Sequence, residues 1–401
     1  MRKFLILGAG PAGLTFANRL MQKGITDFLV IEAEKEPGGL CRSVKVDSSE
    51  LDIGGGHILD VRRPEVVKFL FQFMPREEWR HFRRDSRIDF GGVVISHPFE
   101  ANIWQLGTDM QVEYLASIAR AGCVTGESEP EKFTDWIRWK LGDKIADDYM
   151  LPYNTKMFGN ELENLGTYWL NKLPDVSFED TLRSCLEHQA YAKQPGHAEF
   201  YYPVEYGYGE LWRRMGAPLE GRIIYGQHVC GIDFGSHTVK TLEGHEYSGS
   251  IIINTIPWRM FRELVGMPDA LKASILKLKH TGVQVKYIPH SMDTKAHWIY
   301  YPDLSLSYHR IFLRHNVLQG SKGMWTETNA NRITPPDGNF AYMNEYAYPL
   351  NTIGKPEIMR QLLGWCRGQN VYGLGRWGEH EHYNSDLTVE LAMKLAENLS
   401  Q

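Results

Sequence analysis

The stretch MRKFLILGAGPAGL at residues 1–14, answered by DFLVIEA at residues 27–33, decides how this 401-residue chain is read. FLIL is an apolar run, a glycine-rich turn follows, LTFANRLMQKG carries a helical pattern, and LVIE ends in an acid, Glu32. The order predicts strand, tight turn, helix, strand and acid, the arrangement a dinucleotide needs. Gly8 permits the turn after the strand. Gly10 lets backbone approach a pyrophosphate without a Cβ in the way, and Gly13 lets the helix pack close to the sheet. Pro11 and Ala12 open the helix, where unpaired N–H groups and the helix dipole favour negative charge. Glu32, 19 positions past Gly13, can accept hydrogen bonds from the adenosine ribose, with Ala33 beside it. The acid alone does not separate NAD from FAD. The continuation does: EPGGLCRS (36–43) and LDIGGGHILD (51–60) are glycine-rich loops where a second helix is usual in NAD folds, which points toward a flavin.

Composition sets the outer bounds. A chain of this length exceeds one ordinary core, so two domains are expected. A formal net charge of -5 gives no strong basic balance and so no sign of nucleic acid or an anionic membrane as the main partner. No apolar run is long enough to span a bilayer, and the N-terminus passes directly into the first strand, so it does not read as a cleavable signal. The five cysteines are scattered, without a CxxC pair, which argues against a disulfide framework or a zinc site and suits free thiols in a reducing cytoplasm. The histidines of the EHEH run and His57, His97 and His197 lack a ligand spacing, so no metal is expected.

Farther along, residues 111–186 read as helical. Phe133, Ile137, Leu141, Ile145 and Tyr149 recur at spacings of four, one apolar face, and Pro152 is expected to end that helix. Residues 222–256 return to short strands, with a hairpin turning at Gly244 and a buried-strand pattern in SIIINTIP. Residues 281–315 and 339–347 alternate as antiparallel strands do, and the chain ends in a strand, a glycine turn and a helix.

The order of motifs resembles the flavin-containing amine oxidase and protoporphyrinogen oxidase superfamily and, within it, the UDP-galactopyranose mutase family. PGGLCRS is similar to the family's PGGLA-S loop, LDIGGGHILD to its DVGGH loop, and MLPYNTKMFG to its PYN-K-W segment. FYYPVEYGYGELW, HWIYYPDLSLSYHR and GLGRWGEHEHYNSDLTVELA resemble three further segments in the same order. The resemblance implies an α/β fold: a Rossmann-type, glutathione-reductase-like FAD-binding domain from residues 1–95, 205–260 and 355–401. A mainly helical region at 96–204 and an antiparallel-sheet substrate domain at 261–354 would be inserted into it. It implies FAD, with Gly39 and Leu40 passing close to it and Val229 where a backbone pair meets the adenine. Gly55, Gly56 and His57 would lie beside the isoalloxazine, unless His57 only caps its loop. Gly375 would make the last glycine turn, Arg376 would face the pyrophosphate, and Asp386, Leu387 and Thr388 would begin a helix toward the flavin.

On the substrate side, the resemblance implies that Arg310 grips a diphosphate, a role suited to the guanidinium fork. The alternative for Arg310 is an ion pair with Asp303 or another acid. Tyr300, Tyr348 and Asn154 match further substrate contacts. Several positions depart from the family. No arginine follows Trp169 and Leu170, where Lys172 is the nearest cation. His382 and His97 stand where the family has tyrosines, Glu100 where it has glutamine, and His197 where it has asparagine. The implied activity is pyranose–furanose interconversion of a nucleotide-linked sugar through reduced flavin, of the kind used in cell-surface polysaccharide synthesis. His57 and Arg310 would be its catalytic residues and NAD(P)H an external reductant. A homo-oligomer is compatible with it. Two other readings stand beside it: an oxidase or dehydrogenase, with Tyr346, Trp377 and Tyr206 as an aromatic cage, and a flavin- or nucleotide-sugar-binding protein without turnover.

Overall fold

The computed structural model describes residues 2–47, 49–170, 173–191 and 198–400, so that Lys172 and His197 lie outside the described residues. The opening stretch folds as its pattern predicts. Strand Arg2–Leu7 buries Phe4, Leu5, Ile6 and Leu7 completely, then passes through helix Pro11–Gln22 to strand Phe28–Ile31. Consecutive apolar residues suit a sheet covered on both faces. The two strands pair in parallel, Phe4 against Phe28 and Leu7 against Ile31, and the helix is the crossover that parallel pairing demands. Glu246–Asn254 pairs with the other edge of Arg2–Leu7, and Val371–Gly373 pairs with the end of Glu246–Asn254. Ile223–Ile224 extends the sheet beyond Phe28–Ile31. One parallel sheet therefore draws on three separated pieces of chain. The first half of Glu246–Asn254 leaves it for an antiparallel ribbon with Thr238–Thr241 and Val229–Asp233, turning at Gly244.

Helix Pro11–Gln22 can lie against the sheet because Gly13 has no side chain. A Cβ there would come within 2.0 Å of the Gly8 carbonyl oxygen. Gly8 itself turns at φ +100, a conformation open to glycine. The last helix, Ser385–Leu399, packs along the first.

The second sheet has the order Ala341–Pro349, His280–Ile288, Met324–Asn329, Arg310–Phe312, Trp298–Tyr300, Ser86–Phe90, Val93–Ser96. It is antiparallel except where Trp298–Tyr300 runs parallel to Ser86–Phe90. The hairpin Ser86–Phe90 and Val93–Ser96 thus belongs to this sheet, although residues 1–95 were expected with the parallel one. Likewise, Glu199–Pro203 pairs with Leu59–Asp60 and Trp79–Arg83 rather than joining the helices, and Glu263–Val265 continues the first sheet past residue 260. Buried Asp52 ties these parts together. Its carboxylate accepts from Ser43 Oγ at 2.7 Å, Tyr208 N–H at 3.0 Å, Tyr202 Oη at 2.8 Å and Arg314 Nη1 at 3.0 Å.

The helical region corrects one expectation. Pro152 does not end a helix: it is the second residue of Leu151–Phe158, entered through a π-helical turn at Ala146–Met150. The helical backbone continues through that π-helical turn, whose altered hydrogen bonding accommodates proline's missing N–H. The break lies earlier, at Gly142, where φ is +75 inside Phe133–Ile145. All five residues of the apolar face are buried, but Phe133 and Ile137 serve one core, while Leu141, Ile145 and Tyr149 serve another. The cysteines are all free. Among the described residues no helix is long and apolar enough to cross a membrane.

Two glycines make opposite predictions. Gly13→Ala is expected to destabilise the chain by roughly 1–3 kcal/mol, because its neighbour is backbone and cannot step aside. Gly364→Ala, inside helix Lys355–Gly368 with open space around it, is expected to stabilise by about 0.5–1 kcal/mol. Thermal melting of the two variants beside the parent checks both signs.

Candidate functional site

A cradle forms at the mouth of the parallel sheet. The first helix starts at Pro11, which has no N–H, and its first internal bond runs from Leu14 N–H to the Gly10 carbonyl at 3.0 Å. The Ala12 and Gly13 amides therefore sit at the positive helix end without intrahelical acceptors. The 38–40 loop closes on this turn. Gly38 N–H donates to the Ala9 carbonyl at 2.8 Å, and a Cβ on Gly39 would lie 3.2 Å from Gly10 Cα. From the other end of the chain comes Gly375, where a Cβ would meet Ala12 Cβ at 2.8 Å and Thr388 Cγ2 at 3.2 Å. The structure thus brings together Gly10, Pro11, Ala12, Gly39, Leu40, Gly375 and Thr388.

Glu32 lies at the far side, 7% exposed. Its Oε2 accepts the Ala9 N–H at 2.5 Å and its Oε1 the Glu34 N–H at 2.9 Å. Burial raises its pKa, opposed by these two bonds. Each carboxylate oxygen retains a further lone-pair site for a hydroxyl. Gln227 N–H donates to the Glu32 carbonyl at 2.9 Å, which brings the segment leading to buried Val229 alongside Glu32 and Ala33. Asp386 and half-buried Leu387 lie in the first turn of the last helix, where Asp386 pairs with Arg63. Arg376 reaches from this cradle to the second sheet. Its guanidinium donates to the Tyr383 carbonyl at 2.7 and 3.0 Å and to the Ala347 carbonyl at 3.1 Å, 5.7 Å from the Tyr348 ring. Burial lowers its pKa, and no carboxylate among the described residues pairs with it.

The 54–57 loop joins the two sheets. A Cβ on Gly54 would strike the Leu40 carbonyl at 1.8 Å, one on Gly55 would meet Glu327 Oε1 at 2.6 Å, and one on Gly56 the Phe312 ring at 1.8 Å. Contact with protein alone already requires these three glycines. His57 Nδ1 lies 3.1 Å from the Gly55 carbonyl oxygen, and its ring stacks parallel to Tyr208 at 6.1 Å. Burial, then Arg376, pulls its pKa down to about 4, so the imidazole is neutral near pH 7.

Opposite this loop, cross-strand register places Tyr300, Arg310 and Glu327 in one row, with Trp298, Phe312 and Trp325 in the next. Arg310 is ion-paired, but with fully buried Glu327 rather than Asp303. Its Nη2 lies 2.5 Å and its Nε 3.2 Å from Glu327 Oε2, while Gly56 N–H donates to Oε1 at 3.0 Å. Burial opposes ionisation of Glu327, yet Arg310 and His309 outweigh it and hold the carboxyl down to about 2. Tyr348 touches this group through Arg310 and lies 4.7 Å from the His382 ring. The Tyr300 ring meets His97 at 5.1 Å and Tyr153 at 5.4 Å. Arg310, Tyr300, Tyr348, His97 and His382 are therefore one neighbourhood. Asn154 faces elsewhere with its amide nitrogen, which donates to the Met150 carbonyl at 2.7 Å. His380 of the EHEH run is buried, with Nε2 2.9 Å from the Lys279 carbonyl oxygen. Of the three cage candidates, Tyr346 and Trp377 meet edge to face at 5.4 Å, whereas Tyr206 packs beside Arg214.

Sequence reasoning missed Glu327, Tyr153 and Arg84. A glutamate in MWTETN carries a weak signal: it is the only charge in a strand whose last five residues are all buried. Arg84 carries none, since RHFRRDSR also holds exposed Arg80 and Arg83.

Two carboxyls give pH-dependent tests. Glu327 has its folded pKa below the usual 4.5, so its stabilising contribution is present above pH 4.5 and lost as pH falls toward about 2. Glu327→Gln should cost roughly 2–4 kcal/mol at pH 7, because it leaves Arg310 without its counter-charge, and the cost should shrink on acidification in that window. Glu100, 7% exposed, is pushed up to about 7 by burial. Its folded pKa is raised, so full stability exists below pH 4.5 and is lost as pH rises through 7. Glu100→Gln should therefore melt higher than the parent at pH 8 and level with it at pH 4.5. Melting curves across pH 3–9 read both.

The comparisons bear on this geometry. The chain matches the family described as flavin containing amine oxidoreductase over residues 11–362. A structure of reduced UDP-galactopyranose mutase superposes with a TM-score of 0.89 at 22% identity, covering 100% of this chain and 96% of the other. A CLA-producing fatty acid isomerase from P. acnes gives 0.66 at 15% identity over 99% and 98% of the two chains. Putrescine oxidase bound to putrescine gives 0.63 at 13% identity over 100% and 99%. At these identities the likenesses establish the fold; the family match covers most of the chain, and the protein belongs to the flavin containing amine oxidoreductase family.

Proposed function

We propose that this flavoprotein binds FAD and acts on a nucleotide-linked sugar, interconverting its pyranose and furanose forms with the cofactor reduced. The observation that carries the reading is the row Tyr300–Arg310 with Tyr348 and Arg376 at its side, facing the loop that holds His57. These are donors and cations. They suit a diphosphate, whose oxygens accept several hydrogen bonds at once, and they would repel the ammonium group of an amine substrate. The aromatic pair Tyr346 and Trp377 lacks Tyr206, so a cage of the expected composition does not assemble.

The cradle fits FAD by its own chemistry: free amides at a helix start, glycines where a Cβ would fill the space, and a buried acid at ribose distance in sequence. Gly10, Pro11, Ala12, Gly13, Gly39 and Gly375 would hold the pyrophosphate, Glu32, Ala33 and Val229 the adenosine end, and His57 and the start of the last helix the ring end. Bound there, FAD supplies a redox-active ring that is nucleophilic when reduced. NAD(P)H is the proposed reductant.

The chain's residues perform the remaining work. Arg310 and Tyr348 hold the diphosphate leaving group and stabilise its charge as the glycosidic bond weakens. Glu327 fixes Arg310 and, through Gly56 N–H, fixes the His57 loop to the same support. His57 remains neutral and orients by stacking and hydrogen bonding rather than by moving a proton.

The test uses the flavin-loaded protein, reduced with dithionite or NAD(P)H, with UDP-, CDP- and dTDP-sugars separated by chromatography. An isomerised sugar nucleotide should form only with reduced flavin. Substrate-dependent bleaching of the oxidised protein without added reductant would instead establish an oxidase.

A further inference from the structure

We propose that Arg84 is a second arginine of the diphosphate subsite and that it, together with Arg376 and unlike the neutralised Arg310, supplies net positive charge there; this rests on the nucleotide-sugar reading above. Arg310 is matched by fully buried Glu327, so that pair contributes donors but little net charge. Arg84 has no such partner. Its Nε donates to Ser86 Oγ at 2.9 Å, its Nη2 donates to Tyr300 Oη at 3.1 Å, and its guanidinium lies 4.9 Å from the centre of the Trp298 ring. No carboxylate among the described residues pairs with it, whereas nearby Arg87 is taken by both oxygens of Asp85 at 3.0 Å. A half-buried guanidinium held on a tryptophan and a serine, with no anion, is a cation awaiting one.

Tyr300 supplies the second step. Its oxygen accepts from Trp298 Nε1 at 2.8 Å and from Arg84 at 3.1 Å. A phenol has one proton to donate, and two acceptances leave that proton free to point outward. Arg84 therefore does two things at once: it brings positive charge to the row, and it commits the Tyr300 hydroxyl to act as a donor. Tyr300 stands directly across the strand pair from Arg310. A donor hydroxyl with an uncompensated guanidinium on one side and a compensated one on the other favours an oxyanion with more than one acceptor oxygen. A neutral sugar hydroxyl would not neutralise the excess charge; a diphosphate would.

The experiment measures binding of UDP and of uridine to the flavin-loaded protein, across a range of salt concentrations, for the parent, Arg84→Gln, Arg84→Lys and Arg310→Lys. CDP and dTDP serve as alternative probes. Arg84→Gln keeps a polar donor on a shorter side chain while removing the charge, and Arg84→Lys restores charge at nearly full reach without the fork. The expected result is a ten- to hundredfold weaker Kd for UDP in Arg84→Gln, a flatter salt dependence, partial recovery in Arg84→Lys, and unchanged flavin content and uridine binding. A Kd for UDP within twofold of the parent in Arg84→Gln overturns the inference; if Arg310→Lys then weakens UDP, the nucleotide-sugar reading survives without Arg84. A parent protein that binds none of UDP, CDP and dTDP overturns both. Should Arg84→Gln fail to fold, the ratio of UDP to uridine affinity in Arg84→Lys decides, and an unchanged ratio overturns the inference.

Discussion

The structure depends on places where backbone meets backbone with no room for a side chain. Gly13 against the Gly8 carbonyl sets the first helix on its sheet, and Gly54 against the Leu40 carbonyl sets the middle loop on the cradle. At the far end, a Cβ on Gly378 would come within 2.0 Å of the Asn254 carbonyl oxygen, which fixes the last segment to the sheet. The first contact is local, the second spans 14 residues, and the third joins segments far apart in sequence. Close packing of this kind leaves no slack, so the convergence is held by geometry before any ligand contributes.

On this frame the charges are sparse and unevenly matched. One carboxylate, Glu327, faces Arg310, while among the described residues no carboxylate pairs with Arg84 or Arg376, whose hydrogen bonds go to hydroxyl and carbonyl oxygens. A buried ion pair adds little net stability, but removing either partner strands the other. Glu327 therefore matters less for its energy than for its connections, because a single side chain fixes both Arg310 and the loop that carries His57. The same excess of positive charge explains His57. Protonating it would set a second cation beside Arg376, and burial already disfavours that.

Local pattern made part of this legible and left the rest dark. The strand–turn–helix from Arg2 to Gln22 is written in adjacent residues, and so are the apolar face from Phe133 to Tyr149 and the hairpin at Gly244. Pro152 misled because a π-helical turn just before it accommodates the missing N–H, so the helical backbone continues. The glycines of the 54–57 loop were visible, but the atoms that forbid their side chains belong to Leu40, Phe312 and Glu327, and no window of sequence holds them together. Arg310 was recognised by resemblance, whereas its partner Glu327 is fixed by strand register, 17 residues away. Arg84 is indistinguishable from its basic neighbours until the fold sets Trp298 and Tyr300 beside it.

Fold alone does not separate the chemistries found on this framework, which a mutase, a fatty acid isomerase and a putrescine oxidase share. What separates them is the wall facing the flavin cradle. A wall meant for an ammonium substrate must offer aromatic faces or anions not already claimed by a cation; here the Trp298 and Tyr348 rings lie beside Arg84 and Arg376, and Glu327 is paired with Arg310. Positive charge among half-buried side chains is strengthened by the low dielectric around it and selects ligands by charge before shape. The sign of that wall, set by which arginines lack an acid, is the physical reason to look for an anionic substrate in this member of the family.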